Sequence, residues 1–345
     1  MSNPQNTKMQ GVPLKAKLLL AAHSFAADRA RRPDMTINRR LMNLFDPKAP
    51  PSPSKPHHGV LSTDTSIDSS RNLWFRLFNP FATTIASSLP VIIYYHGGGF
   101  AFMGPDSRNY DDFCRRLATQ IPAIIISVNY RLSPEHKYPS HYDDGFDAVK
   151  FIDDGKLSDL PTNADLNRCF LAGDSAGGNL AHHVAVRCGE QENQLQKVKI
   201  VGLIAVQPFF GGEERTPAEL RILNTPVLSL DRTDWLWKAF LPEGSDRNHE
   251  AANVFGPNGK DISGIKFPST VLFVGGFDLL QDWQRKYYEG LKESGKEVKL
   301  VEYPDAFHGF FMLTNSSNFR SFVSEVSSFV QSKSAEIETS SPTET

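Results

Sequence analysis

The chain has little cysteine: Cys114, Cys169 and Cys188 are the only three in 345 residues. They are too few and too scattered for a disulfide framework or a C-x-x-C metal site, so a reduced compartment is the simpler expectation. The cytoplasm is the expected location, with the nucleus also open to it. Charge of one sign is lacking too, since 37 Lys and Arg against 39 Asp and Glu leave a formal net charge of -2. A partner for nucleic acid normally carries a broad positive bias, so none is expected here. Long apolar runs are missing. The stretch LLLAA at 18–22 is short and soon meets Asp28, Arg29, Arg31 and Arg32, so neither a signal peptide nor a membrane span is expected. Phosphate and metal motifs are absent as well: HGGGFAFMG at 96–104 fits neither G-x-x-x-x-G-K-[ST] nor G-x-G-x-x-G, and no H-E-x-x-H occurs. His182 and His183 are adjacent and project differently from one helix, while Asp143 and Asp144 lack a partner set. No metal and no cofactor are expected.

What is present is a rhythm of strands and helices. The length allows one large α/β domain or two smaller ones. Residues from Val12 to Leu44 have the mixed apolar and basic content of one or two amphipathic helices, broken near Pro33, and could form a surface arm or a lid. Prolines at 47, 50, 51, 53 and 56 then favour an extended connector, so 1–58 is read as an N-terminal arm plus connector. Beyond it, RNLWFRLFNP, LPVIIYY, AIIISV, RCFLAGDS, KIVGLIAVQPF, STVLFVGGFD and EVKLVEYPDAFHG read as strands. Helices are expected at 111–119, 142–152, 178–188 and 282–294. Continuous apolar strands alternating with helices predict an α/β fold, with a mostly parallel central sheet flanked by helices, over 59–332. Residues 212–266 have little strand pattern and are expected to form a helical cap above the sheet. The tail 333–345 is polar, with no evident apolar face, and is expected to be disordered.

Between an apolar strand and a helix lies Gly173-Asp174-Ser175-Ala176-Gly177, a G-x-S-x-G string whose small residues permit a sharp turn that lifts Ser175 above the sheet. A serine hydroxyl is a poor nucleophile at neutral pH. It needs an imidazole to take its proton and an acid to hold that imidazole in the useful tautomer. His308, after the last strand in YPDAFHGFF, is the candidate base, and Asp278, directly after VLFVGGF, is the candidate acid. Asp282 and Asp305 are nearby rivals. The chain order Ser175, Asp278, His308 is the serine, acid, histidine order of α/β-hydrolases. Acyl transfer also needs N–H donors for a developing oxyanion, and Gly98, Gly99 and Ala176 are the candidate set. His96 is read as an organiser of the glycine loop. Phe209, Phe210, Trp235, Trp237 and Phe240 could line a pocket for an uncharged acyl or alcohol group, although such aromatics also commonly pack a helix onto a sheet.

The combination HGGGF, NYRLSPEHKYP, GDSAGGNLAHH, GGFDLLQDWQ and YPDAFHGF resembles the plant carboxylesterases of the hormone-sensitive-lipase family over about residues 60–330. That resemblance implies an α/β-hydrolase fold, a triad of Ser175, Asp278 and His308, and an oxyanion hole from the 96–99 loop with Ala176. It implies a cap built partly from the N-terminal arm and partly from 212–266. The stretch RRPDMTINRRLMNLFDPKAP is similar to the N-terminal region of the soluble gibberellin receptors, which share this fold. In those receptors the segment acts as a lid, the catalytic histidine is generally replaced, and the third glycine of the oxyanion motif is altered. This chain keeps His308 and Gly99. The expected activity is therefore hydrolysis of a small or medium apolar carboxylic ester, with gibberellin-receptor-like binding as the alternative. The arm leaves room for a protein partner, but none is predicted.

Overall fold

The computed structural model describes residues 14–81, 88–157, 159–222, 225 and 227–340. One sheet of eight strands runs in the order β1-β2-β4-β3-β5-β6-β7-β8. The strands are β1 (Val60–Asp68), β2 (Leu73–Pro80), β3 (Leu89–Tyr95), β4 (Ile124–Asn129), β5 (Ala164–Asp174), β6 (Ile200–Val206), β7 (Ser269–Phe277) and β8 (Val298–Phe307). β1 and β2 pair antiparallel, β2 is antiparallel to β4, and β3 to β8 are parallel. β3 is buried at every position because helices cover both faces of a parallel sheet. Successive residues point to opposite faces. Val91, Ile93 and Tyr95 pack with Phe146 of α4 (Ser140–Asp153) and Leu180 of α5 (Ala176–Glu190). Ile92 and Tyr94 pack with Phe113 of α3 (Arg108–Gln120) and Phe322 of α9 (Ser317–Ser340). Each fully buried Ile or Val stabilises the fold by about 1.5–3 kcal/mol relative to exposure.

The N-terminal arm is two helices, α1 (Leu14–Ala30) and α2 (Arg39–Phe45), and residues 1–13 of the expected arm lie outside the described residues. α2 begins where the Asn38 side chain accepts from Leu41 N at 3.1 Å, one of the free donors of a first turn. Ala26, Ala27, Ala30, Ile37 and Met42 join the same core as α4 and α5, so the arm packs onto the sheet domain. Arg39 fastens it, donating to Ala101 O, to Ser133 O at 2.7 Å and to the Glu135 carboxylate at 2.9 and 2.5 Å. Within 212–266 lie the short α6 (Pro217–Arg221) and α7 (Leu230–Phe240). α7 docks on α1 and on the turn that follows it: Arg232 donates to Asp28 at 2.9 and 2.7 Å, Arg31 to Asp231 at 2.9 Å, and Trp235 Nε1 to Arg32 O at 3.2 Å. Arm and cap thus form one roof.

One expectation is corrected. The tail from 333, expected to be disordered, continues α9 as far as Ser340, while 341–345 lie outside the described residues. Ser334 is buried, and Lys333 pairs with Glu297 at 2.8 Å and Glu336 at 2.9 Å. Extending a nucleated helix costs far less than starting one, so the apolar face of Phe319, Phe322, Val326 and Val330 carries the polar residues with it. Among the described residues, no helix is long and apolar enough to cross a membrane.

Candidate active site

Ser175 sits between the last residue of β5 and the first of α5, at φ 52° and ψ -119°. A Cβ on Gly173 would lie 2.2 Å from Gly177 O, and one on Gly177 would lie 1.9 Å from Tyr95 O. Only glycine fits at either position, which is why the string has its spacing. Left-handed backbone at a non-glycine residue costs about 1–3 kcal/mol and persists where the surroundings over-determine it. Here Ser175 N donates to Val206 O at 2.9 Å, and Ser175 O accepts from Gly178 N at 3.0 Å and Phe209 N at 2.8 Å. The serine therefore stands at the carboxyl edge of the parallel strands, where open α/β sheets bind ligands.

Asp278 and His308 each follow the last residue of neighbouring strands, and Phe277 lies opposite Phe307 in the β7–β8 register. That register brings the next residues together, with His308 Nδ1 2.7 Å from Asp278 Oδ2. The buried Asp278 carboxylate also accepts from Gln284 Nε2 at 2.9 Å, Gln207 Nε2 at 3.1 Å and Leu280 N at 2.9 Å. Of its rivals, Asp282 accepts from Ala218 N at 2.7 Å and Asp305 is exposed, so neither meets His308. Gln207 was not anticipated. Its Nε2 also donates to Phe307 O at 3.2 Å and its Oε1 accepts from Gly309 N at 2.8 Å, framing His308 from both sides in sequence. The readable signal was an amide at the end of the apolar run IVGLIAV, where it would be buried.

Ser175 and His308 line one cavity with Gly98 and Gly99. No hydrogen bond joins the Ser175 and His308 side chains in this structure. Gly98 and Gly99 have φ of 106° and 61°, and among the described residues neither N–H donates to a protein group. Ala176 N–H, at the first position of α5, is one of the orphan donors of a helix start. Among the described residues none of the three N–H groups is taken by a protein acceptor, and that of Ala176 lies at the positive end of α5. The loop is held by Asp174, which accepts from Gly97 N at 3.0 Å, Tyr94 Oη at 2.5 Å and Tyr110 Oη at 2.9 Å. Burial pushes the Asp174 pKa up to about 6 against these bonds. His96 is buried, which holds its pKa down at about 4; its ring stacks 4.3 Å from Tyr130, and its Nδ1 lies 2.8 Å from Gly97 O. It braces the loop, as the sequence suggested.

The cavity has a volume of about 190 Å³. α1 lines it with Leu19, Leu20, His23 and Ala27, the cap with Leu228 and Leu236, and the loop around Met312 closes another side. The five aromatics expected in this pocket are not among its lining residues. Phe209 stacks on Trp237 at 4.1 Å, Phe240 on Phe100 at 3.9 Å, and Phe210 packs 4.4 Å from Tyr287. Trp235 instead holds α7 to the arm through Arg32 O. These side chains are taken up by packing, Phe209, Trp237 and Phe240 in stacked rings and Trp235 against the arm, while α1 together with Leu228 and Leu236 supplies the apolar wall. Away from the cavity, His57, His58 and Asp112 bring three ligand atoms within 4.8 Å of one another, on a surface where two of the three residues are exposed.

A strained serine at a strand-to-helix turn, a carboxylate-bound histidine on the neighbouring strand ends and a glycine loop with free donors are the parts of a hydrolase built on an α/β sheet. A family model described as alpha/beta hydrolase fold matches residues 92–312, and the chain belongs to that family. The gibberellin receptor GID1C of Arabidopsis thaliana is 41% identical over 334 residues, covering 93% of this chain and 95% of the receptor. Carboxylesterase 20 of the same plant is 37% identical over 274 residues, covering 77% and 84% respectively. Among solved structures, the ester-hydrolase EH1AB1 from the metagenome of Lake Arreo superposes with a TM-score of 0.71 at 29% identity, covering 92% of this chain and 98% of its own.

Proposed function

We propose that this protein is a serine carboxylesterase that hydrolyses small or medium, uncharged, largely apolar esters through a covalent acyl-enzyme. The observation that carries the reading is the 2.7 Å bond from His308 Nδ1 to buried Asp278, in the cavity that Ser175 lines. With Nδ1–H held by the carboxylate, Nε2 is left as the base. His308 takes the Ser175 proton as the oxygen attacks the ester carbonyl. The oxyanion is met by the N–H groups of Gly98, Gly99 and Ala176, each donor supporting about 3 kcal/mol of transition-state stabilisation. His308 then returns the proton to the leaving alcohol. Water, activated by the same imidazole, attacks the acyl-enzyme and releases the acid and the free serine, while Asp278 keeps the ring oriented through Nδ1. The apolar walls from α1 and the cap favour an uncharged substrate. Likeness to Carboxylesterase 20 supports the same chemistry.

A second reading rests on the 41% identity to a gibberellin receptor and on the arm that roofs the cavity. Under it the same pocket holds a small molecule without turnover. Hydrolysis of p-nitrophenyl esters from acetate to octanoate by the parent and by Ser175→Ala separates the two. The esterase reading expects a rate that vanishes in the variant. Saturable binding of gibberellin, with no ester turned over by either protein, would replace it with the receptor reading.

A further inference from the structure

His23 is the odd residue in the roof. It lies on α1 between Leu19 and Ala27, one turn from each, so all three face the cavity that Ser175 lines. The residues one turn away on α1 are apolar, while Ser24 and Arg232 also line the cavity. His23 Nε2 is buried and has no hydrogen-bond partner, and it is the only such side-chain atom of the described residues that belongs to a residue lining this cavity. Burial holds the imidazole pKa below its ordinary value; the Asp46 charge works against that shift and the Arg232 charge with it. The ring is therefore neutral at neutral pH, with one nitrogen able to donate or accept.

The charged groups around the cavity are matched, and the remaining uncharged polar side chains that line it, Ser24 and Asn109, are not among the buried atoms left without a partner. Arg232 is spent on the Asp28 carboxylate, on Ser24 O at 3.3 Å and on Val227 O, so its charge is matched within the roof. Asp174 is held by the two tyrosines and Gly97. The Ser175 hydroxyl, His308 and the glycine donors are committed to the ester group itself. A buried polar atom left unpaired costs about 1–3 kcal/mol, and folded proteins seldom keep one that nothing satisfies.

The geometry points to His23 as a specificity-determining residue, which takes a neutral oxygen function carried by the substrate on the part that lies against α1. The preferred substrate class is then an apolar ester bearing a second group, a hydroxyl or a carbonyl, remote from the scissile bond. This rests on the esterase reading above and narrows it. A plain alkyl ester satisfies the oxyanion donors and leaves the imidazole nitrogen unpaired. An ester with a hydroxyl at the right reach satisfies both.

The test is a series of p-nitrophenyl alkanoates from butanoate to decanoate, each paired with its ω-hydroxy counterpart. The parent, His23→Leu and His23→Gln are compared. The expected result is a preference for the hydroxy ester of about ten- to a hundredfold in kcat/KM at the chain length that reaches the roof. It is carried mainly by KM, abolished in His23→Leu and partly restored in His23→Gln. His23→Leu is also expected to melt no lower than the parent, because it removes an unpaired buried nitrogen; a histidine kept for structure would give a lower Tm. Absence of a hydroxyl preference at every chain length, or its survival in His23→Leu, overturns the assignment. Calorimetric binding of the same pairs to Ser175→Ala reads His23 without turnover. A hydroxyl preference there that depends on His23, beside a parent that hydrolyses nothing, refutes the esterase reading and leaves the role of His23 standing.

Discussion

Replacing Gln207 by leucine keeps the side chain's bulk and removes three contacts at once. They are the donation to Asp278 Oδ2 at 3.1 Å, the donation to Phe307 O at 3.2 Å and the bond accepted from Gly309 N at 2.8 Å. A hydrogen bond to a charged acceptor contributes about 1.5–3 kcal/mol and a neutral one about 1 kcal/mol, so the stability loss should be about 3.5–5 kcal/mol. The Asp278 carboxylate keeps Gln284, Leu280 N and His308, so it does not become an orphan charge. What loosens is the backbone on either side of His308. A base displaced from its working position loses about 1.4–2.8 kcal/mol of transition-state stabilisation, a ten- to hundredfold fall in kcat. Because Gln207 does not line the cavity, KM for p-nitrophenyl butanoate should change little. Initial rates at several substrate concentrations, with thermal unfolding of both proteins, read out the two effects. Parent-like kcat together with a parent-like Tm would refute the positioning role assigned to this amide.

Three further outcomes follow from the same geometry. Asp174→Asn leaves a single carbonyl oxygen facing the Tyr94, Tyr110 and Gly97 donors, so the 96–99 loop should shift. Losing one oxyanion donor corresponds to about a hundredfold in kcat, and an unchanged kcat in steady-state assays would contradict it. Acid should destabilise the fold, because burial lowers the pKa of His96 to about 4 and of His141 and His183 to about 3, all below 6.5. With folded values lowered, the unfolded chain binds more protons below pH 6.5. The stability these residues supply is then present above that pH and lost as pH falls toward 4, each losing about 2 kcal/mol by about pH 5. Asp174 opposes this, since its pKa is raised from 3.8 to about 6 and protonation favours the folded state, recovering about 1 kcal/mol over the same range. The urea midpoint should therefore drop steeply between about pH 7 and about pH 5, and a flat midpoint would sink the prediction. Asp28→Ala removes the partner of Arg232, whose side chain is 7% exposed, and leaves a cation at the cavity wall. KM for neutral esters should rise about fivefold or more, since stranding a buried charge costs more than a surface pair is worth. Kinetics matching the parent would mean that the roof does not depend on this latch.

The central strands were legible because a strand covered on both faces must be apolar throughout, as LPVIIYY and AIIISV are. β1, VLSTDTSID, was not recognised, since an edge strand with solvent on one side has few positions that must be apolar. The polar end of α9 was also missed. Its order comes from the helix before it and from Lys333 reaching Glu297, which no local pattern announces. At the candidate site, the strand ends and the chain order singled out Ser175, Asp278 and His308, and the structure brings His308 within 2.7 Å of Asp278 and places it with Ser175 on one cavity. The pocket wall could not be read the same way. Aromatics on α7 and apolar residues on α1 have equal claim from sequence, and only packing shows that Phe209 and Trp237 stack on each other while Leu19 and Leu20 face the cavity. Gln207 and the pair Asp28 and Arg232 act across separations that periodicity does not encode.

Whether Ser175 is a nucleophile is decided most directly by trapping. The parent and Ser175→Ala are incubated with an alkyl fluorophosphonate, and the intact mass and the peptide containing Ser175 are then measured. A serine esterase is expected to gain one phosphonyl group per chain, located on Ser175, with loss of ester hydrolysis in step and no label on the variant. An unlabelled parent that nevertheless binds a small molecule in the cavity, or label that persists in Ser175→Ala, would contradict the esterase mechanism.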